Sequence, residues 1–278
     1  MTGSALPSLD IPALLREYDV RPSKRLGQNF LSDNDALQKI VATAKLLPSD
    51  TVLEIGPGLG SLTRCLALSA SDVTAVELDQ HLFPVLKAVL ATHANVRLVQ
   101  GDILKLDPSA LIKRPGYIVI ANIPYYITSA VIRHILESEL KPRRVVLTIQ
   151  KEVAQRICAE DEKMSLLALS VQVYGKPAIT AQIPAEAFYP SPKVDSAVLA
   201  IEIYPQPIIA EARLDKFFSL IKAGFSQKRK TLRNSISAGL RMTPADTELF
   251  LNSAGIDPQR RPETLNLEEW GKLTENIP

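Results

Sequence analysis

Apolar and polar positions alternate between two periods from about residue 35 to residue 120. Over residues 35–46 the apolar side chains Leu37, Ile40, Val41 and Ala44 recur three and four apart, the spacing of a helix with one buried face. Thr51-Val52-Leu53-Glu54-Ile55 is instead a short, nearly continuous apolar run, as expected of a strand covered on both sides. A Gly-rich turn and a second helical stretch over residues 62–70 follow it. Strand-like runs return at residues 73–77, 96–99, 117–121, 144–149 and 197–203. A helix, a third apolar strand near residues 169–174 and a Pro-rich loop are expected between the last two. Strands alternating with helices in this order predict a doubly wound α/β sheet.

Pro205-Gln206-Pro207 ends that pattern. Beyond it only helical spacing is visible, over residues 214–223, 230–237, 244–253 and 267–273, punctuated by Gly224, Gly239 and Gly255. The expected organisation is an α/β domain over residues 1–205 and a small all-helical domain over residues 206–278. No internal repeat or low-complexity segment interrupts it.

The 278 residues, 46% apolar, suffice for two such cores. Charge, Gly or Pro interrupts each apolar run before the roughly 18 residues a membrane helix requires. The opening Met1-Thr2-Gly3-Ser4 leads into no signal-type apolar core, so a cytoplasmic protein without membrane association is expected. Two Cys cannot build a disulfide framework, and His81, His93 and His134 lack ligand spacing, so no metal site is expected. With no heptad or exposed-edge signal, the expectation is a monomer. The net charge of +2 conceals clustering. Lys222, Lys228, Arg229, Lys230 and Arg233 share a segment free of Asp and Glu. Lys141, Arg143, Arg144, Lys151 and Arg156 form a second group, and Arg21, Lys24 and Arg25 a third. Three basic groups on a near-neutral chain point to a polyanionic partner.

Candidate chemistry gathers where the expected strands end. Gly56-Pro57-Gly58-Leu59-Gly60 lies between a strand and a helix, where backbone amides can meet a ligand. It departs from a dinucleotide-binding G-x-G-x-x-G because its third Gly comes one residue early and a Pro occupies the turn. Glu77 ends the next strand, where a carboxylate can accept both hydroxyls of a ribose, and Asp102 follows the third, where it could accept from an adenine amine. Asn122-Ile123-Pro124-Tyr125 ends the fourth. There an Asn carbonyl and the next backbone carbonyl can both point at one NH2 group, with Tyr125 stacked on the ring that bears it. A strand ending in a Pro turn with a core Tyr is the alternative. The four strand ends together resemble the S-adenosylmethionine-dependent methyltransferases that act on base amines.

A closer resemblance is carried by Lys24-Arg25-Leu26-Gly27-Gln28-Asn29-Phe30-Leu31, the Gly turn, Asn122-Ile123-Pro124-Tyr125, the segment from Phe188-Tyr189-Pro190 to Val194-Asp195-Ser196, and Phe225-Ser226-Gln227-Lys228-Arg229-Lys230-Thr231-Leu232. These resemble the KsgA (RsmA) family over residues 21–273. The resemblance implies a Rossmann-like class I methyltransferase sheet with a small C-terminal all-helical domain. It further implies dimethylation of two adjacent adenosines near the 3′ end of small-subunit (16S) ribosomal RNA, with a pre-30S particle as partner. S-adenosyl-L-methionine would be surrounded by Asn29, Leu31, Gly56, Glu77, Asp102 and Asn122. Asn122 and Ile123 would hold the target amine, Pro124 would set the turn, and Tyr125 and Phe188 would cover the two faces of a flipped adenine. The basic helical segment would grip RNA phosphates. Many relatives have Asn after the motif Tyr, where this chain has Tyr126. An Erm-type enzyme of large-subunit RNA and an RNA-binding assembly factor on the same fold stay open as rivals.

Overall fold

The computed structural model describes residues 6–160, 163–227 and 229–277. The first five residues, with the leader read above, and Lys228 of the basic run lie outside them. Among the described residues the strands are β1 (Phe30–Leu31), β2 (Thr51–Ile55), β3 (Asp72–Glu77), β4 (Val96–Gln100), β5 (Ile118–Asn122), β6 (Arg144–Gln150), β7 (Gly175–Ile183), β8 (Phe188–Tyr189) and β9 (Ser196–Ile203). Seven form one sheet in the order β4-β3-β2-β5-β6-β9-β7, and β1 pairs with β8 in a separate ribbon. β4, β3, β2, β5 and β6 run parallel, while β9 is antiparallel to β6. The chain moves outward from β2 to β4 and then returns to β5 on the other side of β2. That reversal opens a crevice at the carboxyl ends of β2 and β5, the place where open α/β sheets take ligands.

The central strands are covered on both faces. Ile118 to Ala121 of β5 are fully buried, which accounts for an unbroken apolar run in place of alternation. On one face the helices Asn34–Ala44 and Ser61–Ser69 bury Leu37, Ile40, Leu62 and Leu66 against Val52, Ile118, Ile120 and Val146. Asp33 fixes the start of the first helix by accepting from the Ala36 amide at 2.7 Å, and Lys45 ends it with φ +48°. At the amino ends of the strands, opposite the crevice, Asp50 accepts both arms of the Arg143 guanidinium at 2.7 and 2.9 Å.

A second cluster brings in chain that the sequence resemblance leaves out. Asp10 caps a helix at Ile11–Glu17, and its Ile11 and Leu15 pack with Phe30, Leu59, Leu82, Val85 and Leu86. An Asp before an apolar residue, Pro12 in the first turn and Ile11 to Leu15 four apart were the signals of this helix.

The structure corrects two expectations. Residues 169–174 are not a strand: Ser165 accepts from the Ala168 amide at 3.1 Å and starts a helix at Leu166–Gln172. The strand comes after it as β7, largely exposed, with Lys176 and Pro177 near its start, which is the character of a sheet edge. The division of the chain also differs. One compact unit holds Met1–Ala154 and Ala178–Ile203, and the other holds Gln155–Pro177 with Tyr204–Pro278. The second unit therefore begins well before Pro205. Within it the Met164 amide donates to the Glu263 carbonyl at 3.0 Å, the Tyr204 amide to the Tyr174 carbonyl at 2.9 Å, and the Tyr174 and Phe218 rings stack at 6.2 Å. The helices Leu214–Gly224, Leu232–Leu240, Pro244–Ser253 and Leu267–Asn276 make up most of the rest. Trp270 is fully buried there, its ring against Gly224 and 5.9 Å from that of Phe225. No helix among the described residues is long and apolar enough to cross a membrane.

Candidate active site

All ten site residues named from the sequence line one cleft at the crevice: Asn29, Leu31, Gly56, Glu77, Asp102, Asn122, Ile123, Pro124, Tyr125 and Phe188. The cleft is partly open to solvent and lined mainly by apolar surface with a few polar groups among it, the character of a small-molecule site. Four strand ends supply most of it. The ribbon supplies the remainder, because Leu31 is the cross-strand partner of Phe188 and Phe30 that of Tyr189. Two motifs far apart in the chain thus meet as one wall.

The turn after β2 is built for close approach. Gly58 has φ +60°, and a Cβ there would lie 2.9 Å from the Phe30 ring. Its amide donates to Glu77 Oε2 at 3.2 Å, while Glu77 Oε1 accepts from the Asp79 amide at 2.8 Å. Burial still pushes the Glu77 carboxyl above the ordinary range despite these bonds. Asp102 accepts from the Leu104 amide at 3.0 Å through Oδ1, which leaves its other oxygen available to the cleft. Gln28 pins the opposite rim, donating to Asp79 at 2.8 Å and accepting from the Ser23 amide at 2.7 Å.

Asn122 is oriented by a single bond. Its Nδ2 donates to the Asn29 carbonyl at 3.2 Å, so the amide oxygen is the end left to accept. Tyr125 is held by its hydroxyl, 2.8 Å from Oγ of the fully buried Ser196, and desolvation raises its pKa above the ordinary value. Ser196 was quoted only as the end of a motif, and the pattern of that motif gave no hint that it anchors Tyr125. Tyr126, where many relatives have Asn, is 64% exposed and lies against Gly27 at the mouth of the cleft.

Glu54 is the residue whose role sequence reasoning missed. It is 1% exposed in β2 and lines the cleft, and its Oε2 is buried without a hydrogen-bond partner. Burial first, and the neighbouring Glu77 carboxylate after it, push its pKa from 4.5 to about 8. A folded-state pKa above the unfolded one means that the fold prefers the protonated acid. Stability tied to Glu54 is therefore full below pH 4.5 and declines as pH rises towards 8. Glu54→Gln should flatten the decline of denaturant midpoints over that range. A slope unchanged by the substitution would remove Glu54 as its source.

Comparison with known proteins gives a consistent assignment. Residues 21–277 match the family model described as ribosomal RNA adenine dimethylase. A ribosomal RNA small subunit methyltransferase A of Dehalococcoides mccartyi is 46% identical, covering 97% of this chain and 94% of its own length. Its namesake in Alkaliphilus metalliredigens is 41% identical over 95% of each. Among solved structures, the 23S rRNA methyltransferase ErmE is 30% identical with a TM-score of 0.72, covering 89% of this chain and 99% of its own. A dimethyladenosine transferase from Plasmodium falciparum is 26% identical with a TM-score of 0.73, covering 88% and 95%. With a family model that spans nearly the whole sequence and curated relatives above 40% identity over nearly their full lengths, the chain belongs to the ribosomal RNA adenine dimethylase family.

Proposed function

We propose that this protein dimethylates the exocyclic amines of two adjacent adenosines near the 3′ end of small-subunit ribosomal RNA, with S-adenosylmethionine as methyl donor. The observation that carries the reading is the Asn122 amide, fixed by Asn29 so that its oxygen faces the cleft beside Ile123 and Tyr125. An Erm-type reaction on large-subunit RNA fits the same cleft. It is disfavoured because the small-subunit relatives reach 46% identity, against 30% for ErmE.

The cleft suits the proposed donor on its own evidence. The Gly58 turn would not admit a side chain, Glu77 and Asp102 present acceptors suited to a ribose and an adenine amine, and the unpartnered Glu54 oxygen awaits a polar group. Asn29, Leu31 and Gly56 would complete the binding surface. When bound, the donor supplies a methyl group already activated on a sulfonium. The protein's own task is positioning. Asn122 Oδ1 and the Ile123 carbonyl accept from the adenine amine, favour its pyramidal form and stabilise the charge that develops on nitrogen. Tyr125 and Phe188 cover the two faces of the base, which must leave its stack to arrive there. The Tyr125 hydroxyl, bonded to Ser196 and with a raised pKa, stays a neutral phenol and serves as an anchor rather than a base. The proton on the product nitrogen leaves to solvent.

The second compact unit is proposed to hold RNA through its exposed cations, among them Lys222, Arg229 and Lys230. Replacing these three with Ala should weaken RNA binding and lower the slope of log affinity against log salt by about two to three. An unchanged slope would return them to solvated surface. We further infer a cytoplasmic monomer acting on a pre-30S particle. The deciding experiment for the reaction is transfer of labelled methyl to unmodified small subunits and, in parallel, to large-subunit RNA, with digestion to nucleosides. Dimethyladenosine from small subunits supports the proposal. Label confined to large-subunit RNA would favour the Erm-type reaction, and RNA binding without transfer to either would make this an assembly factor.

A further inference from the structure

A second, open groove adjoins the cleft, and Gly27, Gln28 and Asn29 line both. Its charge is one-sided. Arg16, Arg21, Lys24 and Lys193 line it against a single acid, Asp19; all five are exposed, and among the described residues none of the four cations has an ion-pair partner. Such an excess of unpaired cations on a concave surface attracts a polyanion. The groove also presents an aromatic face, Tyr189, 43% exposed.

The ribbon explains the arrangement. Successive residues of a strand point to opposite sides. Phe188 of β8 is buried and lines the cleft, whereas Tyr189, one residue on, lines the groove. Two adjacent aromatics on one strand thus serve two adjacent cavities. Pairing with Phe30 and Leu31 holds both in register, and Gln28, bonded to Asp79 and to Ser23, fixes the partition between the cavities.

We propose that the groove is a subsite for the nucleotide next to the target adenosine, with its base stacked on Tyr189 and its phosphates on Arg21, Lys24 and Lys193. This rests on the adenosine-methylating function proposed above. The chemistry of two adjacent targets fits it. While one adenosine occupies the cleft, its neighbour must wait outside, unmethylated in one round and dimethylated in the other. Stacking uses the π-face of a base and not its exocyclic amine, so Tyr189 accepts the neighbour in either state. Arg16, the fourth cation of the groove, would meet a further phosphate of the strand.

The test uses the full protein, with unmodified small subunits for transfer and a labelled single-stranded oligoriboadenylate for binding. Tyr189→Ala should raise KM for small subunits about tenfold or more with kcat within about twofold, and Tyr189→Phe, which keeps the stacking face, should restore it. Arg21→Ala, Lys24→Ala and Lys193→Ala combined should lower the salt slope of oligonucleotide binding by about two, at roughly 0.7 per phosphate of a single strand. Calorimetry should show S-adenosylmethionine bound as in the parent by every variant, which separates a lost subsite from a damaged fold. An unchanged KM in Tyr189→Ala, or Tyr189→Phe no better than Tyr189→Ala, overturns the stacking role. An unchanged salt slope overturns the phosphate grip, and a groove that prefers an acidic peptide to the oligonucleotide overturns both. If the parent protein transfers no methyl group to small subunits, the functional reading fails by itself, and the oligonucleotide titration still decides the groove.

Discussion

Asn122→Ala should lower methyl transfer by about a hundredfold or more, the size seen when one group that stabilises transition-state charge is removed, while S-adenosylmethionine binding stays measurable. The amide does two things at once. Through Nδ2 it ties the end of β5 to the Asn29 carbonyl, and through Oδ1 it offers the acceptor on which the proposed chemistry depends. Alanine removes both, so a second substitution is needed to tell them apart. Asn122→Asp keeps the shape but places a carboxylate oxygen against the Asn29 carbonyl, where like partial charges repel. It should therefore also lose transfer, and its loss should shrink at low pH, where a protonated acid can donate to that carbonyl. Single-turnover transfer to unmodified small subunits is the measurement. A rate unchanged in Asn122→Ala would end the assigned role.

Trp270→Ala should cost about 3–5 kcal/mol, the range for emptying a buried aromatic site. The chain has one Trp, and its ring is fully enclosed in the second unit, so close to Gly224 that a Cβ there would lie 2.4 Å from the ring. Its helix is well fastened independently of the ring: Asn266 and Glu269 form a capping box, and Arg260 pairs with Glu269 and draws its carboxyl below the ordinary range. The loss should therefore appear as a cavity rather than as an unwound helix. Trp270→Phe should be far milder. It keeps most of the contact area and deletes an indole N–H that is buried without an acceptor, a group that itself destabilises the fold. Denaturant unfolding followed by circular dichroism, which does not depend on the lost indole, compares the two variants. Equal losses would mean that the ring volume is not what matters. Every residue proposed to hold the methyl donor belongs to the other compact unit, which has a core of its own, so donor affinity should change by less than about twofold in either variant.

Much of this molecule was legible before its structure, for a physical reason that also marks where legibility ends. Glu77, Asp102 and Asn122 could be placed together because a parallel sheet delivers successive strand ends to one edge, and the strands themselves announced their burial as apolar runs. Leu31 and Phe188 could be placed with them only by family resemblance. Two-residue strands have no period to read, and their pairing is set by contacts remote in sequence. The helix at Leu166–Gln172 was misread because an apolar run of that length fits either period, and the Ser165 cap that decides the matter was overlooked. The joining of Gln155–Pro177 to the C-terminal helices likewise depends on bonds to Tyr204, Ile208 and Glu263 that no local pattern foretells. Glu54 was read only as part of the strand run before the Gly turn and given no role, because its unusual acid strength comes from burial and not from its neighbours in sequence.

The ribbon of β1 and β8 carries a consequence for how the protein is made. Synthesis runs from the N-terminus, so the five parallel strands and the Gly turn leave the ribosome before Phe188 exists. Until β8 arrives, β1 has no strand partner, and the wall bearing Leu31 is held only by its packing and by bonds such as that from Asn122 to the Asn29 carbonyl. A nascent chain can thus own a nearly finished sheet while its cleft still lacks the aromatic cover that Phe188 supplies.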